Sequence, residues 1–358
     1  MKPNCINGAR VCLKILGMNN NKYILIIGFL ALLPLLFASC EKAFMEDEAG
    51  ADPETVFDEV WTFADRHYSF FREKGVDWDA IYDQYREKVR PDMSQVDLFD
   101  LCAAMLYELR DGHVNLVSSF DRSRYWDWFL DSPENFYYSI VQRYYMQDRQ
   151  RYIGPLQFVK LERDVFYVYY GSFANAISES NLNILINTLN SAGGRPGLII
   201  DVRNNGGGSP DNARDIAARF TRERRFAGTN YIKNGPGHED FRAEEVYIRP
   251  HDGPRFDGKV VVLTNRKSYS ATTYFAQYMK VLPHVTLVGD ATGGGGGIPA
   301  FRDLPNGWML RLSSSRFLDP EGNSIESGVA PHVTRHLSSG SIEQGRDDII
   351  EEALEILR

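Results

Sequence analysis

Apolar residues recur along this chain with two different periods, and the change falls near residue 150. Before it the spacing is helical. Val56, Val60, Trp61, Phe63 and Ala64 share one face of a first helix. Ile81, Tyr82 and Tyr85 mark a second over Trp78 to Val89, and a third runs from Val96 to Leu109 behind Ser94, an N-cap residue type. The aromatic residues crowding the first two helices (Trp61, Tyr68, Phe70, Phe71, Trp78) read as core. Beyond residue 150, short apolar runs alternate with helical patterns. Val165–Tyr170 is β-rich, and Gly197–Val202, Lys259–Leu263 and Thr286–Val288 suit buried strands. Helices are expected over Asn181–Leu189, from Ser209-Pro210-Asp211 through Phe220, and near Ala271–Lys280. Asp347–Leu357 is amphipathic, with Ile349, Ile350, Ala353, Leu354 and Leu357 inward. Strands alternating with helices predict an α/β layer fold behind an N-terminal helical subdomain.

Tyr23 to Phe37 stands apart as a 15-residue apolar run preceded by Lys22. It is short for a membrane-spanning helix, which needs about 20 apolar residues, and Pro34 interrupts it. It fits the centre of a secretory signal. The run ends in Phe37-Ala38-Ser39-Cys40, small residues before a cysteine, similar to the lipobox of bacterial lipoproteins, whose cysteine is lipidated and becomes the mature N-terminus. Met18 opens a more typical signal, so residues 1–17 read as an over-called start. Residues 1–39 are then signal peptide, and 40–53 a tether. The expected location is the cell envelope of a bacterium, as an outer-membrane lipoprotein on its periplasmic or surface face.

Composition narrows the classes. Of 358 residues, 43% are hydrophobic and 25% charged, so neither a disordered chain nor a disulfide scaffold fits. Residues 1–39 carry four cations and no acid, so their removal takes the formal charge from −8 to −12. Phosphate contacts need clustered Lys and Arg, and a body this acidic argues against a nucleic-acid partner. Cys5 and Cys12 lie in the removed segment and Cys40 would carry lipid, which leaves Cys102 alone, a buried inert thiol. His238-Glu239 begins like a zinc helix, but Arg242 stands where HExxH needs its second His. No metal and no cofactor is expected.

Three places join an element end to unusual residues. Asp201-Val202-Arg203-Asn204-Asn205-Gly206-Gly207-Gly208 leads from a buried strand through three glycines to a helix start. That suits an oxyanion or phosphate held by backbone N–H groups, or simply a tight turn; no Lys follows, which disfavours the phosphate. Thr264-Asn265-Arg266-Lys267-Ser268-Tyr269-Ser270-Ala271 places Ser270 where a helix begins, either as an exposed nucleophile or as a helix cap. Leu109-Arg110-Asp111-Gly112-His113 puts one of seven His on a bend after a helix.

With TGGGGG at 292–297 and ESGVAP at 326–331, these segments resemble, in order and spacing, the tail-specific or C-terminal processing serine peptidases. The helical lead-in with Gly75-Val76-Asp77-Trp78 resembles the tricorn-type branch. The resemblance covers residues 54–357 and implies a ClpP/crotonase-like α/β core. It implies Ser270 as nucleophile, His113 as general base, the backbone N–H groups of Gly207 and Ala271 as oxyanion hole, and Glu326, or else Glu321, to orient His113. Many members use a Ser-Lys dyad, but Gly295 stands where that Lys would be. Gly112 stands where the tricorn-type branch has Ser, Thr273 replaces a common Glu, and His332 replaces the usual Asp.

The expected organisation is a helical subdomain over 54–113, a connecting segment over 114–153 too short for a PDZ domain, and a catalytic core over 154–358. The aromatic stretch around Tyr125–Tyr138 either lines the cleft or packs on the core. The expected function is a lipid-anchored serine peptidase acting on extended polypeptide. The alternative is a non-catalytic module of the same fold holding an apolar ligand, peptide or glycan.

Overall fold

Three helices begin the computed structural model, which describes residues 51–358 except 131, 162–163 and 194–195. They are α1 (Pro53–His67), α2 (Trp78–Arg86) and α3 (Gln95–Tyr107). Each starts at a side-chain cap: Asp52, Asp77 and Ser94 accept the N–H of the residue three further on. The signal and Cys40 readings, and the tether reading up to residue 50, lie outside the described residues; the end of the tether is described, and there Asp52 caps and Pro53 opens α1. Among the described residues no helix is long and apolar enough to cross a membrane.

A short strand β1 (Asn115–Val117) follows, and then β2 (Arg151–Ile153), β3 (Leu156–Lys160) and β4 (Val165–Tyr169). Helix α4 (Glu179–Asn190) leads to β5 (Gly197–Asp201) and α5 (Pro210–Ala217). The hairpin β6 (Arg225–Lys233) and β7 (Phe241–Ile248) precedes β8 (Val260–Thr264), α6 (Ala271–Lys280) and β9 (Val285–Gly289). Strands β10 (Pro299–Asp303), β11 (Met309–Ser313), β12 (Ser315–Leu318) and β13 (Val333–Thr334) come before the last helix, α7 (Asp348–Leu357).

The main sheet has the order β13-β9-β8-β5-β4-β3-β2. It is parallel from β13 to β4 and antiparallel from β4 to β2. Every residue of β5 and β8 is buried, as parallel strands covered on both faces require. Alternation divides them. Leu198, Ile200, Val260 and Val262 face α4, α5 and α6, whereas Ile199, Val261 and Leu263 face α7 and the segment around Phe136–Met146. Each such side chain contributes roughly 1.5–3 kcal/mol on burial. The α/β core expected from the alternation is therefore present.

Two smaller antiparallel sheets, β1-β11-β10 and β12-β6-β7, lie outside the apolar pattern that marks the main sheet. The first joins the helices to the core. Leu310 and Leu312 of β11, with Leu304 and Trp308, complete the hydrophobic cluster of α1, α2 and α3. The helical layer is thus closed by chain from far downstream of residue 113.

Asp201-Val202-Arg203 has a structural job as well. Arg203 is wholly buried and donates to both oxygens of Asp201 and both of Asp347. Asp347 in turn caps α7 by accepting the N–H groups of Ile349 and Ile350. One guanidinium thereby ties the end of β5 to the last helix. Arg203→Met strands two buried carboxylates and is expected to lower the unfolding free energy by about 3–5 kcal/mol in urea titrations. A loss within a few tenths of a kcal/mol contradicts this account.

Candidate active site

The two loops that follow β5 and β8 are sewn together. Asn204 and Asn265 exchange hydrogen bonds of 3.0 and 2.7 Å, and the Ser268 hydroxyl donates to the Val202 carbonyl. This places Ser270 at the start of α6 with φ 59° and ψ −120°, a left-handed conformation costly for a non-glycine residue. It is held by the Ser270 N–H, which donates to the Gly294 carbonyl at 2.8 Å, and by the Ser270 carbonyl, which accepts the N–H groups of Thr273 and Tyr274.

The Ser270 hydroxyl caps nothing: it makes no hydrogen bond to the helix N–H groups. It lies instead 2.9 Å from His113 Nε2. The two come from residues 157 apart in sequence. His113 is buried, and its backbone N–H donates to Asp111 Oδ1 at 2.7 Å. Burial lowers its basicity, with Arg311 and Arg124 adding to the effect, and the pKa falls to about 4; the Asp111 charge and the Gly297 carbonyl oppose the shift.

Glu326 is not bonded to His113. Its Oε1 accepts from Lys74 Nζ at 2.8 Å and its Oε2 from the Gly296 N–H at 2.9 Å, while His113 Nδ1 makes no hydrogen bond. The buried carboxylate takes the buried cation, and the ring nitrogen is left to the glycine loop. Glu321, the other candidate, is exposed on a turn where its N–H donates to Asp319. Lys74 also donates to the Arg110 carbonyl at 2.9 Å, and Arg110 returns a hydrogen bond to the Lys74 carbonyl. That exchange fixes Arg110 at φ 47°, immediately before the Asp111-Gly112-His113 bend. Burial and the neighbouring Asp111 charge push Glu326 up to about 8. Asp111 is held below its usual range: burial works against this, but Lys74, the His113 contacts and the Ser313 hydroxyl outweigh it.

The Ala271 N–H, at the first position of α6, donates to no acceptor among the described residues, as a helix start leaves it. Gly207 differs from the expected second donor: its N–H is taken by Asn205 Oδ1 at 3.0 Å, a local turn that satisfies the loop. Its Cα is nonetheless pressed on the nucleophile, since a Cβ at Gly207 would lie 2.8 Å from Ser270 Cβ and 3.0 Å from Ala271 N.

Trp128 and Tyr269 explain two of the sequence's glycines. Their rings stack with centroids 4.3 Å apart. A Cβ at Gly112 would meet Trp128 Nε1 at 2.7 Å and the Tyr269 hydroxyl at 2.8 Å, and one at Gly295 would meet the Tyr269 ring at 2.5 Å. The aromatic pair fills the space that a serine at 112 or a lysine at 295 would need. The stack also walls a cavity of about 360 Å³ that Lys74, Arg266 and Glu326 help to line. So the aromatic stretch does both things its sequence allowed: Trp128 lines the cavity and Phe136 packs on the sheet. His332 accepts the Leu287 N–H through Nδ1, and Thr273 donates to the Gly294 carbonyl. His238 pairs with Asp65, and burial pushes the Cys102 thiol up to about 12.

A crystal structure of a Parabacteroides merdae protein named as a peptidase superposes with a TM-score of 0.81 at 42% identity, over 86% of this chain and 97% of the other. The family model "Peptidase family S41" matches residues 164–335, and "Tricorn protease C1 domain" matches 49–107. The chain belongs to peptidase family S41. A Staphylococcus epidermidis protein named a CtpA-like serine protease is 27% identical over 140 residues, 38% of this chain and 27% of that protein's length. The chain therefore matches about a quarter of the length of such curated relatives. The photosystem II D1 C-terminal processing protease shares the fold, with a TM-score of 0.53 at 19% identity over 80% of this chain and 93% of that one.

Lys74 escaped the sequence reading. Lys74 sits on a single helical turn, Phe71–Lys74, among other charged residues, and its partner is 252 residues away. Lys74→Met is expected to cost about 1–3 kcal/mol of stability, because Glu326 avoids a lone buried charge by taking up a proton. In a double-mutant cycle with Glu326→Gln, the paired loss should fall short of the sum by roughly 0.5–3 kcal/mol. Strict additivity would show that the two do not act as a unit.

Proposed function

We propose that this S41 member is a peptidase that cleaves extended polypeptide by Ser-His chemistry, anchored to a bacterial cell envelope by lipid on Cys40. The observation that carries the catalytic reading is the Ser270 hydroxyl, which faces His113 Nε2 at 2.9 Å instead of capping its helix. A serine hydroxyl is a weak nucleophile until a base takes its proton. His113, neutral because burial disfavours its charge, is ready to do so at any pH above about 4. Ser270 Oγ attacks the scissile carbonyl and His113 receives the proton. The imidazolium then passes it to the leaving amine, and water repeats the sequence on the acyl-enzyme.

The oxyanion formed at each step meets the free Ala271 N–H, reinforced by the positive end of α6. Gly207 completes that wall once its N–H is shared between Asn205 and the oxyanion. Glu326 assists at a distance. Through Gly296 it holds the 294–297 loop, whose Gly294 carbonyl fixes Ser270 and whose Gly297 carbonyl favours the charged form of His113. The anchor and the envelope location rest on the signal-like run and the small residues before Cys40.

Digestion of a diverse peptide library by residues 41–358, read by mass spectrometry, tests the reading. Cleavage should appear with the native chain and vanish in Ser270→Ala. No cleavage by either would favour the non-catalytic binding module. The acid limb of kcat/KM should lie near pH 4, below the value of about 6.5 for an ordinary imidazole, because protonation of His113 removes the base. A limb at 6 or above would show that His113 is not the titrating group.

A further inference from the structure

Beside the Ser270–His113 pair lie two cations, Arg124 and Arg311, with no carboxylate partner among the described residues. The sheet β1-β11-β10 turns Leu310 and Leu312 towards the helices, so Arg311 and Ser313 lie on its other face. That face borders the site. The Ser313 hydroxyl donates to Asp111 Oδ2, and Arg311 stands opposite Asn115, two residues after His113. The Arg311 guanidinium donates to Asn115 Oδ1 at 3.0 Å and reaches towards the exposed Phe301 ring, 5.9 Å away.

Arg124 is close enough for its charge to act on Arg311. It lies 4.3 Å from the Trp126 ring and 5.6 Å from that of Tyr269, which itself packs edge-on against His113 at 5.0 Å. Its Nε is buried without a hydrogen-bond partner. Arg302 is paired with Glu59 and Arg316 with Glu239, whereas Arg122 adds a further positive charge that both Arg124 and Arg311 feel. Arg124 and Arg311 have no carboxylate partner among the described residues. The acid they both feel, Asp111, has its oxygens occupied by the His113 N–H and the Ser313 hydroxyl. Burial pushes both guanidinium groups below their usual range, and the Arg124 charge adds to the effect on Arg311. Two half-buried cations with spare donors, near each other and lacking an anion, are incomplete without a ligand that brings one. Around them Trp126, Ile298 and Phe301 are 43%, 41% and 59% exposed, an apolar rim of the kind a peptide covers.

We propose that Arg124 and Arg311 receive the carboxylate of an acidic substrate side chain, with apolar neighbours on the rim. The inference rests on the peptidase reading and names the substrate class of that site. It also has a kinetic consequence. Both arginines oppose positive charge on His113. A substrate carboxylate that neutralises them eases formation of the imidazolium, so the right substrate assists the base that acts on it.

Binding is best measured on Ser270→Ala, which cannot turn over. The probes are fluorescein-labelled Ala/Leu hexapeptides with a single Glu scanned through each position, the matching Gln peptides, and each sequence as free acid and as C-terminal amide. Fluorescence anisotropy should find at least one Glu register binding about tenfold tighter than its Gln partner, in free acid and amide alike. A preference for free acids over amides with no preference for Glu overturns the proposal, because the carboxylate read is then the C-terminus. Adding Arg124→Gln and Arg311→Gln should reduce the advantage to less than about threefold. Equal binding of Glu and Gln peptides overturns the proposal, as does an advantage that survives loss of both arginines. The first comparison needs no arginine variant and so stands even if those variants fold poorly. Cleavage by the native chain is scored separately: carboxylate-selective binding without cleavage would overturn the peptidase reading and leave this site intact.

Discussion

Much of this molecule is arranged to hold one backbone conformation, the left-handed turn at Ser270. A serine at φ 59° is strained by roughly 1–3 kcal/mol and persists only where its surroundings fix it. Here the Gly294 carbonyl grips its N–H, the first turn of α6 grips its carbonyl, and the Tyr269 N–H donates to the Asn205 carbonyl. The strain aims the hydroxyl away from the helix that would otherwise take it as a cap. A side chain that is free of its own helix is available to a base arriving from elsewhere in the chain.

The base arrives by way of the helical layer. Lys74 and Arg110 exchange hydrogen bonds, and the same ammonium holds Glu326, which holds Gly296. So the bend carrying His113 and the glycine loop carrying the Gly294 carbonyl are adjusted against one buried cation. Two acids, Asp111 and Glu326, share it, and low dielectric makes that arrangement sensitive to the loss of any member. The Trp128–Tyr269 stack then occupies the room in which other side chains would have reached the site.

The sequence was most readable where burial is symmetrical. Continuous apolar runs announced β5, β8 and β9, and the switch from strand to helix announced α6 with Ala271 at its first position. The small antiparallel sheets were illegible. In β7 and β10 most residues are exposed or half-buried and charges interrupt the alternation. The order of the short motifs pointed to Ser270 and His113, because each sits at the end of a regular element. It did not reveal the partners of Glu326. A carboxylate 252 residues from its lysine leaves no local trace, and the chemistry of a triad suggested a direct bond to His113 where the structure has a chain of contacts through Gly296. Gly112 and Gly295 stood out in the sequence only as departures from the family's Ser and Lys; the ring that fills their side-chain space shows them to be packing requirements.

The most direct test of the central claim is covalent labelling with a fluorophosphonate, which reports an activated serine without any knowledge of substrate. Mass spectrometry of the labelled and digested chain should place one adduct on Ser270, and His113→Ala should abolish it while leaving the fold intact. Labelling at another serine, or equal labelling with and without His113, would contradict the account.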